Sequence, residues 1–237
     1  MRILPAFAAL VIVAASPSFA AEPLRILPIG DSITHGGKRN VEEFTYRLPL
    51  QQLLKEAGIA FDFIGTRNKG LDEDAKWPDV SGAPFDPDHE GYYGWKTAAV
   101  RDKLRENLPK LPPPDFALIH LGTNDQDNKD RTGAVVQPLE EMVGLLRKQN
   151  PRVAVLIGHL NFQSGTAAEI RTLVDAMAER LNTKESPVVT VHHYRGWKEN
   201  PKDEGTDTFD WAHPNRQGQK KMADAWFAAM KPLLKTK

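Results

Sequence analysis

Leu24-Arg25-Ile26-Leu27-Pro28-Ile29-Gly30-Asp31-Ser32-Ile33-Thr34 is an apolar run that ends in a glycine-containing turn. The run reads as a buried strand, and Ser32 falls just past its carboxyl end. Open α/β sheets hold their ligands there, in the crevice beyond the strand ends. A serine in this position is also an ordinary turn or helix-cap residue, so its meaning depends on the rest of the chain.

Apolar runs recur downstream. Ala60–Ile64, Phe116–Leu121, Val153–Ile157 and Val188–Val191 read as further short strands. Their near-continuous hydrophobicity suits strands covered on both faces, as in parallel sheets. Stripes of helical period lie between and after them. One comprises Val100, Leu104 and Leu108; a second Val135, Leu139, Met142 and Leu146, closed by Asn150-Pro151. A third comprises Ile170, Leu173, Val174, Met177 and Leu181, and the last Met222, Trp226, Met230 and Leu233. Such stripes are core faces. The alternation predicts an α/β fold, a right-handed, doubly wound, mostly parallel sheet of five strands. From Thr66 to Gly94 the rhythm breaks into glycines, prolines, acids and aromatics. A connection this long is usually functional or disordered. It begins where the second strand should end, on the rim that carries Ser32, and we read it as an active-site loop.

The amino terminus has its own pattern: Met1-Arg2, an apolar run from Ile3 to Ala15, then small residues at Ser18 and Ala20. This describes a secretory signal peptide over residues 1–21, cleaved near Ala20 or Ala21. The run is too short to span a bilayer comfortably. Residues 22–237 then make one domain of ample core size. The expectation is an exported protein, periplasmic or extracellular, with no membrane association after cleavage. Lys+Arg and Asp+Glu balance at 31 each, without the basic excess of a nucleic-acid binder. The absence of cysteine rules out disulfides, thiolate metal sites and a lipid-modified N-terminal cysteine.

Three later stretches share the rim with Ser32. A serine hydroxyl becomes a nucleophile when a base takes its proton and a third group orients that base. Asp210-Trp211-Ala212-His213-Pro214 holds a carboxylate three residues before an imidazole, close enough to reach back to Nδ1 and leave Nε2 free. The same Asp210 would also serve as a helix cap, with His213 solvated. Acyl transfer needs donors aimed at a developing oxyanion. Gly122-Thr123-Asn124-Asp125 follows the third strand directly, so Asn124 is one candidate donor. The backbone N–H groups of Gly94 and Ser32 are the others. Each residue alone has a plain turn or linker explanation; together they make one complete catalytic set.

Gly30-Asp31-Ser32-Ile33-Thr34, Gly94, Gly122-Thr123-Asn124-Asp125 and Asp210-Trp211-Ala212-His213-Pro214 together resemble the four-block signature of the SGNH (GDSL-like) hydrolases. The resemblance runs from Leu24 to the final helix. It implies a flavodoxin-like, three-layer α/β/α sandwich. It also implies Ser32 as nucleophile, His213 as base, Asp210 as its orienting carboxylate, and Ser32, Gly94 and Asn124 as the oxyanion hole. No cofactor and no metal are implied. The stretch Asp88-His89-Glu90-Gly91-Tyr92-Tyr93-Gly94-Trp95, with Phe61-Asp62-Phe63-Ile64-Gly65, is most similar to carbohydrate esterase family three, which includes acetyl xylan esterases. The expected substrate is a small-molecule or polysaccharide ester carrying a small acyl group, acetyl first. Trp211-Ala212 and His192-His193 depart from the family's commoner residues and bear on substrate identity. Lysophospholipase, thioesterase or arylesterase activity stays open, as does an inactive glycan-binding module.

Other signals are weaker. Gly30 through Lys38 lacks the spacing of a P-loop, and no Gly-x-Ser-x-Gly elbow is present. His192 and His193 would face opposite ways on a strand, so no joint metal site is expected of them. The acids of the 66–94 loop read as solvated charge, with a structural calcium site as the alternative. Tyr92, Tyr93, Trp95, Trp197 and Trp211 suit either sugar stacking or core packing.

Overall fold

In the computed structural model, residues 22–38 and 42–234 are described, and the expected signal peptide lies outside the described residues. The strands are β1 (Leu24–Gly30), β2 (Phe61–Phe63), β3 (Glu90–Gly91), β4 (Phe116–His120), β5 (Ala154–Gly158) and β6 (Val188–Val191). All pair in parallel, in the order β2-β1-β4-β5-β6, and β3 also pairs with β1.

The helices are α1 (Ser32–His35), α2 (Arg47–Glu56), α3 (Thr97–Asn107), α4 (Gln137–Gln149), α5 (Gly165–Leu181) and α6 (Arg216–Leu234). Side-chain alternation along the strands divides the core between two helical layers. Leu27 and Ile29 of β1, Ala117 and Ile119 of β4, and Val155 and Ile157 of β5 pack with α3, α4 and α5. Their neighbours Ile26, Phe116, Leu118, Ala154 and Leu156 pack instead with α2 and α6. The result is the three-layer α/β/α sandwich, with both sheet faces dry.

Two differences from the sequence reading have physical causes. The sheet has six strands, not five: β3 is only two residues long, too short for any periodicity, and its register is Ile29↔Glu90 and Gly30↔Gly91. Helix α2 has no clean apolar stripe because its buried residues are Arg47, Leu50, Gln51 and Leu54, half of them polar.

The long 66–94 segment is tied into this frame. It leaves β1's edge after β2 and returns to the same edge as β3. Arg67 and His89 form an antiparallel bridge at its neck. Fully buried Glu90 accepts from the Thr66 backbone N–H at 2.6 Å, from Asn107 Nδ2 at 3.0 Å, and from the Thr66 and Tyr92 hydroxyls. Asp86 accepts from the Phe63 and Asp88 N–H groups at 2.8 and 3.3 Å. These two acids therefore serve as internal acceptors, not as solvated charge. No helix among the described residues is long and apolar enough to cross a membrane.

Candidate active site

Leaving out the short β3, the sheet order reverses direction between β1 and β4. That switch point is where doubly wound sheets open a crevice at the carboxyl ends of their strands. Asp31 and Ser32 follow β1 there, and Gly122 to Asp125 follow β4.

Asp31 turns the chain from strand to helix. Its Oδ1 accepts the Ile33 backbone N–H at 3.1 Å and caps the single-turn α1. Burial pushes its carboxyl up to about 6, although the Ile33 N–H, Thr123 and His213 pull the other way. Ser32 is the first residue of that turn, with its hydroxyl pointing at the segment before α6. Ser32 Oγ lies 2.9 Å from His213 Nε2, across 181 residues of sequence. On the far side of the ring, His213 Nδ1 lies 2.7 Å from Asp210 Oδ2. Asp210 Oδ1 also accepts the N–H groups of Ala212 and His213, at 2.7 and 2.8 Å. Partial burial raises this carboxyl, but the two N–H donors and His213 together outweigh it and leave it below its ordinary value. Asp210 is thus held ionised beside the imidazole, with one oxygen committed to the turn and the other to Nδ1. The Thr208 hydroxyl and the Phe209 N–H both donate to the His213 carbonyl at 2.8 Å, closing the loop on itself.

Gly94 has φ 78°, a left-handed conformation that costs glycine little and other residues more. The next carbonyl, that of Trp95, accepts from Asn124 Nδ2 at 3.0 Å. This bond joins the end of the long loop to the turn after β4. It leaves the other N–H of the amide without a protein acceptor among the described residues. Asp125 anchors the start of α3 by accepting from the Thr97 N–H and hydroxyl, at 3.0 and 2.6 Å.

The set therefore assembles: Ser32, His213 and Asp210 form one hydrogen-bonded chain, and Gly94 and Asn124 lie on loops fastened to one another. The shelf around it is open and aromatic. Trp211, between Asp210 and His213, is 54% exposed, Trp95 is 40% and Phe209 36%. The groove of about 360 Å³ lined by Asp115, Ala154 and Pro187 lies at the opposite, amino-terminal ends of the strands and has no part in this chemistry.

A family model described as the GDSL-like lipase/acylhydrolase family matches residues 29–221. The chain belongs to that family. A multidomain esterase of Ruminococcus flavefaciens is 25% identical over 241 residues, which is 92% of this chain and 30% of that protein. The chain thus spans less than a third of that relative's length. Among solved structures, a carbohydrate esterase family 3 protein of Talaromyces cellulolyticus superposes with TM-score 0.72 at 24% identity, covering 90% of this chain and 99% of that one. A Clostridium thermocellum family 3 carbohydrate esterase gives 0.70 at 22%, covering 91% and 98%. A mutant acetyl esterase determined with acetate ion gives 0.73 at 24%, covering 90% and 99%. At these identities the likeness establishes the fold.

This GDSL-like hydrolase also uses residues for which the sequence offered no signal. Arg47, fully buried, forms no salt bridge with a carboxylate among the described residues. Its guanidinium donates to the carbonyls of Thr34 at 3.1 Å, His35 at 3.2 Å and Pro87 at 2.7 Å. It thereby ties the Ser32 helix to the loop ahead of β3, and Phe85 packs over it at 5.2 Å. Burial lowers its pKa to about 10, which leaves it charged at neutral pH. Thr45, at φ 130°, holds a strained backbone while its hydroxyl faces the carbonyls of Ile33 and Thr34, at 3.1 and 3.2 Å. His35 Nδ1 accepts the Tyr93 N–H at 3.2 Å. The arginine in an unstriped helix and the lone threonine carry no local pattern, so only their tertiary contacts reveal them.

Proposed function

We propose that this protein is a serine esterase that removes small acyl groups, acetyl foremost, from carbohydrate, and that residues 1–21 direct its export. The observation that carries the reading is the continuous relay from Ser32 Oγ through His213 to Asp210 at the carboxyl edge of the sheet.

In the proposed mechanism Ser32 Oγ attacks the ester carbonyl while His213 Nε2 takes its proton. Asp210 keeps the proton of the imidazole on Nδ1 and stabilises the imidazolium that forms. The N–H groups of Ser32 and Gly94 and the free N–H of Asn124 receive the developing oxyanion. His213 returns its proton to the departing sugar hydroxyl as the tetrahedral intermediate collapses to an acyl-enzyme. A water molecule, deprotonated by His213, then releases the acid and restores Ser32. No cofactor or metal enters these steps.

The aromatic shelf supports a carbohydrate leaving group. Trp211 and Trp95 are partly exposed on the loops that carry the relay, Trp95 with one ring face stacked on Tyr92, and sugar rings pack on open indole faces. Family 3 carbohydrate esterases share the fold, and one acetyl esterase of the same fold was determined with acetate. The test is an acyl-chain series on one chromogenic alcohol, acetyl to octanoyl, followed by acetate release from acetylated xylan. Acetyl is expected to give the highest kcat/KM, and Ser32→Ala to lose nearly all turnover while keeping its Tm. An octanoyl preference would move the enzyme to the lysophospholipase or thioesterase branch. An active Ser32→Ala enzyme would remove the nucleophile assignment.

A further inference from the structure

At the edge of the sheet away from Ser32, two histidines leave adjacent strand ends and turn toward each other. His159 directly follows β5 and His192 directly follows β6, and their Nδ1 atoms stand 3.1 Å apart. Asp175, on α5, places Oδ1 3.1 Å from Nε2 of His159. One donor atom from each of the three falls within 4.8 Å of the others, the one such cluster among the described residues. We propose that His159, His192 and Asp175 bind one divalent metal ion of the zinc class.

The donor set selects that class. Two imidazole nitrogens and a carboxylate suit zinc, nickel or copper(II); calcium and magnesium take shells of oxygen. The spacing fits as well. Two nitrogens at ~2.0–2.1 Å from one tetrahedral zinc stand about 3.3 Å apart, close to the separation of the two Nδ1 atoms; these share a hydrogen bond, which the ion would replace with release of its proton. Asp175 faces Nε2, the other nitrogen of His159, so it completes the set by turning its carboxylate toward the Nδ1 pair, within the 4.8 Å that spans the three donors. Its side chain is 48% exposed on the outer face of a helix, so a rotamer change meets little packing resistance. His159 is buried, and its Nε2 makes no hydrogen bond of good geometry despite the neighbouring carboxylate. His192 is only half-buried, which leaves the pair an approach from solvent. The aromatic ring of Tyr194 lies against both imidazoles, at 5.8 and 5.9 Å between centroids, and limits their rotation.

Two cations oppose binding. Arg171 acts on His159 and Arg195 on His192. Arg171 is held elsewhere, donating to the carbonyls of Leu160 and Phe162 at 3.2 and 2.8 Å. The Asp175 carboxylate supplies the compensating charge, so the site requires it. A bound ion would join the edge strand β6 to β5 and α5, and its consequence is stability. This site is independent of the esterase relay.

Tag-free protein stripped with chelator and titrated with Zn²⁺ in a calorimeter is expected to take up one ion per chain with micromolar or tighter affinity, and Zn²⁺ is expected to raise its Tm. His192→Ala should abolish the tight phase. Asp175→Asn, on an exposed helical face that keeps the fold, should weaken it by ~10-fold or more. Ca²⁺ should give no uptake at the same concentrations. The proposal is overturned if the wild type binds no stoichiometric zinc, if both variants bind like wild type, or if Ca²⁺ binds as tightly.

Discussion

The ring of Tyr93 lies flat against the imidazole of His213, with centroids 5.6 Å apart and planes 12° from parallel. Its hydroxyl points to Glu43 Oε2, 3.5 Å away. Burial raises the Tyr93 hydroxyl well above its ordinary value, and Glu43 adds to this, so it stays a neutral donor. Tyr93 thus forms one wall of the slot that holds His213, the proposed base, in line between Ser32 and Asp210. Tyr93→Ala is expected to lower kcat on 4-nitrophenyl acetate by ~10- to 100-fold, the cost of a base that wanders by about an ångström. Tyr93→Phe keeps the wall and should retain most activity. Equal kcat in Tyr93→Ala and wild type would show that the stack does not position His213.

Asp210→Asn tests the other side of the ring. The amide oxygen can still accept the Ala212 and His213 N–H groups, but the amide N–H₂ then faces Nδ1 and favours the wrong tautomer. A kcat loss toward ~10⁴-fold is expected, with KM little changed. Wild-type activity would leave Ser32 and His213 working as a dyad.

Asn124→Ala removes the proposed oxyanion donor and also the tether to the Trp95 carbonyl. The first effect predicts a fall in kcat of ~100- to 1,000-fold. The second predicts a looser 94–95 loop, read as faster hydrogen exchange there. A pure KM effect would make Asn124 a binding residue instead.

Arg47→Met keeps much of the volume of Arg47 but leaves the carbonyls of His35 and Pro87 without that donor and Thr34 with only the Thr45 hydroxyl. Buried orphaned acceptors cost ~1–3 kcal/mol each, so urea denaturation should show a loss of more than about 2 kcal/mol. Because two of those carbonyls belong to the Ser32 helix, kcat should fall as well. Unchanged stability would mean that the loop re-pairs these carbonyls on its own.

Stability should fall as pH drops from 7.5 to 6.0. Burial lowers His35 and His120 to about 4, and His89 and His193 well below the ordinary value. The unfolded chain protonates these imidazoles near ~6.5 while the folded chain does not, so unfolding takes up protons and acid favours it. Asp31 and Asp88, both raised to about 6, act in the opposite sense, because the folded state protonates them first. Their offset reduces the loss below pH 6 but two carboxyls do not cancel four imidazoles, so the fall starts near pH ~7 and continues toward the folded values of about 4. A net loss of about 2 kcal/mol, or a Tm lower by ~5 °C, is expected from scanning calorimetry at the two pH values. A Tm that holds or rises toward pH 6 would mean that these histidines are not kept neutral.

Local sequence determined the five main strands, the four striped helices and the identity of every residue in the relay. Strand and helix periods repeat within a few residues, and the Gly-Asp-Ser, Gly-Thr-Asn-Asp and Asp-x-x-His blocks each lie within one turn of chain. Tertiary structure decided what those blocks do to one another. Ser32 and His213 meet only because the chain, after reaching β6, returns in the segment before α6 to the carboxyl end of β1. The same long-range closure makes β3 a strand, since two residues pair only when β1 offers an open edge. It makes Arg47 a clamp, because a buried guanidinium is tolerable only where folding gathers enough carbonyls around it. His192 and His193 lie just past the end of β6, not on it: His193 packs against Trp226 and His120, and the partner of His192 is His159, 33 residues away on the neighbouring strand end. Hydrophobic periodicity is a property of neighbouring residues and survives in the sequence. Pairings between distant polar groups exist only once burial has removed water as their competitor.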